Sequence, residues 1–142
     1  MTKISALMIT LNEVNHIKDA VKSIDFADEI IVVDSFSDDG TIEKLKTFKN
    51  VKVIQRQFKN FADQRNYALK QAKHEWVLFI DADERIPENL RKEIVYEVNN
   101  PDETVGFMFK RIFFFKRKRI RFSGFQTDTT YRLFKKDKVK NT

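Results

Sequence analysis

The sequence predicts an α/β domain: a mostly parallel sheet flanked by helices, carrying a β-rich C-terminal extension. Three observations predict it. Four short apolar runs, at residues 3–10, 29–33, 51–54 and 76–80, are nearly continuous, as strands buried on both faces are. Segments with apolar residues at helical spacing separate them, which is the β-α-β-α-β-α-β order of a parallel sheet. After residue 104 the pattern changes to Phe-rich β-formers and basic residues.

Each element follows from local chemistry. KISALMIT (3–10) reads as the first strand. Val14, Ile17, Ala20, Val21 and Ile24 recur at helical spacing, with Asn12 and Asn15 as polar start signals. EIIVV (29–33) is a second strand ending at Asp34, and SFSDDG (35–40) is rich in turn formers. Thr41 opens a short helix with Ile42, Leu45 and Phe48 on one side. Val51 to Ile54 is a third strand; Phe61, Ala68, Leu69 and Ala72 mark a third helix. WVLFI (76–80) is the fourth strand, and residues 87–98 form an amphipathic helix with Pro87 near its first turn. Val105 to Phe115 and Thr129 to Phe134 read as strands, joined by KRKRIR (116–121) and a turn around Gly124. The expected organisation is one domain over 1–142, with an acidic α/β part over 1–104 and a basic, Phe-rich part over 105–142.

Composition excludes several chemistries. With no cysteine, disulfides, thiolate zinc sites and cysteine nucleophiles are out, and two isolated histidines argue against a histidine metal centre. No apolar stretch approaches membrane-spanning length, and Met1-Thr2-Lys3 leads straight into a strand without a signal-peptide core. The expectation is a cytoplasmic domain. The net charge of +6 hides an asymmetry: residues 1–104 carry 15 basic and 19 acidic side chains, residues 105–142 carry 12 and 2. A basic tail of this kind suggests an anionic partner.

In an open parallel sheet, ligands bind beyond the carboxyl ends of the strands. Three strand ends carry polar, site-like residues: Thr10 and Asn12, Asp34, and Asp81-Ala82-Asp83-Glu84. Singly, Asn12 reads as a helix cap and Asp34 as a turn former; their shared rim argues for a site. The Asp81-Ala82-Asp83 triplet is the sharpest signal. A buried strand delivers two carboxylates to its mouth, and alternation sends both to one side if the strand continues. Paired carboxylates repel, and a hard divalent ion relieves that. Mg²⁺ or Mn²⁺ needs only one or two protein carboxylates, the rest of its shell being water and phosphate. The competing reading is a solvated acidic strand end.

ISALMITLNE (4–13), EIIVVDSFSDDGT (29–41), FADQRNYALKQAKHEWVLFIDADERI (61–86) and GFQTDTTYRLFKK (124–136) together resemble a family 2 glycosyltransferase of the GT-A, Rossmann-like fold. The last segment is similar to the lipopolysaccharide-core glucosyltransferase subgroup. The resemblance implies that Thr10, Asn12 and Glu13 hold base and ribose, and that Asp34 accepts the ring N–H of uracil, as a carboxylate can. It implies that Arg65 meets the nucleotide or diphosphate. Asp81 and Asp83 match the DXD signature, the first meeting ribose or metal and the second holding the metal, Mg²⁺ or Mn²⁺. Asp38 and Asp39 fall at an acidic turn that is more often structural. Where the family commonly carries a second aspartate, this chain has Ser35. The resemblance also implies that 1–104 is the donor-binding part and that 105–142, with Asp128 and Arg132, is the acceptor-side part.

The implied activity is an inverting, metal-assisted transfer of a sugar from a nucleotide-diphosphate donor, UDP-sugar being expected. The implied acceptor is a saccharide or lipid-linked saccharide of cell-envelope polysaccharide or lipopolysaccharide synthesis. The family's general base lies in a segment after the Arg-Leu-Phe strand, and this chain reaches Thr142 soon after it, so no base is assigned and a C-terminal truncation is expected. Two alternatives stand beside this reading. One is a non-catalytic nucleotide-sugar-binding module; the other is a metal-dependent phosphotransferase, which would place its aspartate nearer the start of the domain. The stretch 110–121 suggests peripheral contact with an anionic membrane surface, at about 1 kcal/mol per basic residue. Nucleic acid is disfavoured, since no ribonucleoprotein signature is present. Trp76 reads as core and His16 as solvent-exposed.

Overall fold

A computed structural model describes residues 2–100, 106–107, 112–115, 118–121 and 133–136. Strands β1 (Ile4–Thr10), β2 (Glu29–Asp34), β3 (Val51–Gln55) and β4 (Trp76–Phe79) alternate with helices α1 (Ile17–Ser23), α2 (Thr41–Leu45) and α3 (Phe61–Gln71). Helix α4 (Glu88–Asn99) follows, then β5 (Gly106–Phe107), β6 (Ile112–Phe115), β7 (Lys118–Arg121) and β8 (Leu133–Lys135). The main sheet runs in the order β3-β2-β1-β4-β8-β5, parallel from β3 to β4, with β8 antiparallel to both its neighbours. The chain builds β1, β2 and β3 outward in one direction and then returns to place β4 on the other side of β1. That reversal between β1 and β4 is where open α/β sheets make their binding crevice.

Alternation along the strands divides the core in two. Ala6, Met8, Ile30, Val32, Trp76, Leu78 and Leu133 face one side, against Ile17, Val21 and Leu45 and, from α4, Ile94 and Val98. Leu7, Ile31, Val33, Val77, Phe79 and Phe134 face the other, against Ala68 and Ala72. Both faces of the central strands are therefore covered, which is why their sequences read as unbroken apolar runs. Trp76 is core, as its sequence context suggests. No helix among the described residues is long and apolar enough to cross a membrane.

Three expectations change. The helix expected from Val14 begins at Ile17, because residues 13–16 form a turn: the His16 and Ile17 N–H groups donate to the Glu13 carbonyl, and the Val14 N–H is taken by Asp39. KRKRIR (116–121), expected as the connection between two strands, contributes Lys118–Arg121 to β7, because that segment pairs antiparallel with Ile112–Phe115. The single strand expected over 105–115 is at least two: Gly106–Phe107 pairs with β8, whereas Ile112–Phe115 pairs with β7 in a separate two-stranded sheet. The two pieces have different partners, so no single ladder unites them. Of the strand expected over 129–134, Leu133 and Phe134 belong to β8 and the rest lies outside the described residues, as do Gly124, Asp128 and Arg132.

Candidate active site

At the carboxyl rim of the parallel strands lies a cleft of about 470 Å³ lined by residues from β1 and α3 and from the segments that follow the four parallel strands. Ile9, Leu11, Phe58 and Phe61 give it an apolar part; Glu13, Arg65, Asp81 and Asp83 give it a charged part. Thr10, Ser35 and Ala82 complete the lining. The cleft thus suits a ligand with a flat or apolar end and a strongly anionic one.

The strand ends on the β1–β2 side are knitted together. Asp34 is fully buried, and its Oδ1 accepts from Thr10 Oγ1 and Ser37 Oγ, each at 2.6 Å. Its Oδ2 accepts from the Ser37 N–H at 2.7 Å. Ser37 Oγ also accepts from the Asn12 N–H at 2.8 Å, while Asn12 Oδ1 accepts from the Asp38 N–H at 2.9 Å. Asn12 sits at φ 54°, in the left-handed region that asparagine tolerates better than most residues. Asp39 ties the next turn by accepting from the Val14 and Thr41 N–H groups and from the Thr41 hydroxyl. Thr41 Oγ1 in turn accepts from the Glu13 N–H at 2.9 Å. Burial works against the Asp39 carboxylate, but these hydrogen bonds hold its pKa below the ordinary value.

Of the residues expected to meet a nucleotide, Thr10, Glu13, Arg65 and Asp81 line the cleft, as does the metal-side Asp83. Asn12 and Asp34 do not. Their polar atoms join the two loops, and the Asp34 carboxylate has no exposed surface. In this structure Asp34 is a joint beneath the cleft, because three protein donors already surround it.

Helix α3 forms the opposite wall. Asn60 caps it, its Oδ1 accepting from the Asp63 N–H at 2.8 Å. Arg56, just beyond β3, pairs with Asp63 and lies 4.4 Å from the centre of the Tyr67 ring. The hydrogen bond from Arg56 keeps the Asp63 carboxyl below its ordinary pKa, against the effect of burial. With its first turns pinned, the helix presents Arg65 to the cleft, its guanidinium 3.6 Å from Asp81 and 5.5 Å from the Phe61 ring centre. Phe58 packs edge-to-face on Phe61 at 5.1 Å.

The β4 end is built differently. Asp81 and Glu84 close a tight turn: the Asp81 N–H donates to Glu84 Oε1 and the Glu84 N–H returns to the Asp81 carbonyl. Ala82 is buried, which leaves Asp83 exposed at the cleft margin. The nearby Glu13 carboxyl is raised above its ordinary pKa, first by burial and then by the charge of Asp83; Asp39 and Asp81 add to this and His16 opposes it. Negative charge therefore accumulates where β1 and β4 meet.

That accumulation tests the expected metal. Among the described residues, no three acidic or histidine side chains converge as a ready-made cation site. A Mg²⁺ or Mn²⁺ ion shared with a diphosphate asks for less, one or two carboxylates. Asp83 and Asp81, both in the cleft and close enough to raise Glu13, supply a hard oxygen donor set of that kind. The residues present fit such an ion.

Sequence reasoning missed Leu11, Ser35, Phe58 and Phe61 as cleft residues. The signal available was position: each lies just beyond a strand end or in the approach to α3. Leu11 and Phe61, at 55% and 62% exposure, look like core residues until the helix phase is known.

Comparisons with known proteins agree with this geometry. The family model described as glycosyl transferase family 2 matches residues 5–141. An uncharacterized glycosyltransferase of Rickettsia typhi is 34% identical over 119 residues, covering 82% of this chain and 40% of its own. The lipopolysaccharide core biosynthesis glycosyltransferase LpsC of Rhizobium meliloti is 31% identical over 112 residues, covering 76% of this chain and 42% of its own. The chain therefore spans about 40% of the length of these curated relatives. Among solved structures, S. aureus TarS 1-349 in complex with UDP-GlcNAc is similar at TM-score 0.62 and 31% identity, over 70% of this chain and 32% of that one. A Pyrobaculum calidifontis mannosyltransferase in complex with GDP-Man and Mn²⁺ gives TM-score 0.62 and 27% identity, over 73% and 34%.

Proposed function

The chain belongs to glycosyl transferase family 2 and has a GT-A, Rossmann-like fold, and from that premise we propose that its cleft binds the nucleotide-diphosphate part of a sugar donor. The observation that carries this reading is the cleft itself, apolar and aromatic in one part and lined by Arg65, Glu13, Asp81 and Asp83 in the other. UDP-sugar is the expected donor, since TarS binds UDP-GlcNAc with a related sheet. The acceptor we propose is a saccharide or lipid-linked saccharide of lipopolysaccharide or envelope polysaccharide synthesis, a reading supported by the similarity to LpsC. We place transfer in the inverting class, and peripheral membrane contact through residues 110–121 is part of the same proposal.

In this mechanism Arg65 donates to phosphate oxygens, a charge-assisted bond stronger than a neutral one. Phe58, Phe61 and Leu11 keep water from the nucleoside end. Asp83, with Asp81, would hold Mg²⁺ or Mn²⁺. Bound there, such an ion would supply positive charge against the charge developing on the diphosphate leaving group. No residue of the chain is assigned as general base.

Calorimetric titration of UDP, with and without Mn²⁺, tests the proposal. Binding that needs Mn²⁺ and weakens at least about tenfold in Asp83→Ala supports it, since mutation of even the outer-shell partners of a metal site costs roughly 10–100-fold in affinity. No binding under either condition overturns it.

A further inference from the structure

Gln64 is fully buried one residue before Arg65. A buried amide must place both its donor and its acceptor ends. Gln64 Oε1 accepts from Arg56 Nη1 at 3.0 Å, and Nε2 donates to Ser35 Oγ at 3.1 Å and to the Arg56 carbonyl at 3.3 Å. The reversed amide would set NH₂ against a guanidinium and its oxygen against a carbonyl, so the neighbours fix this orientation. Ser35 Oγ is thereby held as an acceptor. Among the described residues its own hydroxyl proton has no acceptor, and Ser35 is only half-buried and lines the cleft.

We propose that Gln64 and Ser35 form a specificity element in which Gln64 fixes the Ser35 hydroxyl so that it donates to an oxygen or ring nitrogen of the ligand's nucleoside. This rests on the donor-cleft reading above. The sheet order sets how far Ser35 lies from the diphosphate end of the ligand. Ser35 follows β2 and Asp81 follows β4, with β1 between them. Two strand spacings separate them by roughly 10 Å. A diphosphate held near Arg65 and Asp83 leaves the nucleoside to reach Ser35. Gln64 is the positioning residue and Ser35 the contacting one. The strand ends hold Ser35 in place as well, its N–H donating to the Thr10 carbonyl at 2.9 Å.

The test is calorimetric titration of UDP and, separately, of pyrophosphate, each with Mn²⁺. Ser35→Ala is expected to weaken UDP about five- to tenfold, the worth of one neutral hydrogen bond. Ser35→Thr keeps the hydroxyl and most of the affinity. Gln64→Glu, nearly isosteric but only an acceptor, takes the Ser35 proton for itself and weakens UDP by a similar factor. Added to Ser35→Ala, it brings no further loss. Pyrophosphate, which has no nucleoside, binds wild type and variants alike. Ser35 lies at the rim, so Ser35→Ala keeps the test valid even where the core substitution fails to fold. Unchanged UDP affinity in Ser35→Ala overturns the inference, and so does an equal loss for UDP and pyrophosphate. A wild-type chain that binds no UDP overturns the donor-cleft reading and this inference with it.

Discussion

The two sides of the cleft use carboxylates in opposite ways. On the β1–β2 side, Asp34 and Asp39 are ringed by donors from Thr10, Ser37, Val14 and Thr41. On the β4 side, Asp83 stands exposed, and it and Asp81 raise the Glu13 carboxyl rather than receive help from it. A carboxylate satisfied by its own chain fixes loops, since its removal strands buried donors. A carboxylate left facing other carboxylates keeps affinity for a cation or a donor group from outside. The same residue type thus builds one wall and equips the other, and burial together with donor count tells the two roles apart.

The sharpest way to break this comparison is to exchange the expected consequences. Asp34→Ala leaves the buried Thr10 hydroxyl and the Ser37 N–H and hydroxyl without their acceptor. It should cost roughly 2–3 kcal/mol in denaturant unfolding, the penalty for stranding buried donors. Asp83→Ala should change stability by no more than ~0.5 kcal/mol, as exposed substitutions do. Equal losses in the two variants would refute the division into a built wall and an equipped one.

Arg65→Ala probes the wall contributed by α3. The Arg65–Asp81 pair is 3.6 Å long and partly exposed, so its loss should cost at most ~1 kcal/mol of stability. For UDP the expected loss is about tenfold or more, because charge-assisted bonds to phosphate contribute roughly 1.5–3 kcal/mol. A variant that melts early yet binds UDP normally would make Arg65 a structural brace.

Much of this architecture was legible in the sequence, and the reason is period. Runs such as EIIVV and WVLFI are buried on both faces, so local composition alone identifies them. The rim followed too, since acids that come directly after the buried run WVLFI can lie only at its mouth, where a turn beyond Phe79 carries Asp81 and Asp83. What composition could not resolve was which polar residues face inward. Asp34 closes one buried strand and Asp83 follows another, yet three donors from positions 10 and 37 surround the first alone. Those partners depend on how the two loops cross. Gln64 was invisible for the same reason: its partners, Arg56 and Ser35, come from two other strand ends that only the fold brings together. Phe61 marks its helix correctly, but an exposed aromatic at a helix start carries the same pattern signal as a core residue, so its place in the cleft was not legible.

The smallest effect falls at the boundary between the two walls, at Glu13. Its N–H is tied to Thr41 on the built side, while its carboxyl faces Asp83 and Asp81 on the other. Because burial and those neighbours raise the folded-state pKa, the ionised form is penalised in the native protein relative to the unfolded chain. The penalty is complete above the folded-state pKa and fades as pH falls towards the ordinary carboxylate range, where both states are protonated. Glu13→Gln removes it. Without a divalent ion the variant should gain stability at pH 7 by no more than ~0.5 kcal/mol, the usual bound for a surface substitution. The gain should vanish in acid. Unfolding curves at pH 7 and pH 4 check both the sign and the window. A loss of stability at pH 7 would mean that the Glu13 carboxylate is held by the built wall, and the boundary would then lie one residue nearer to β4.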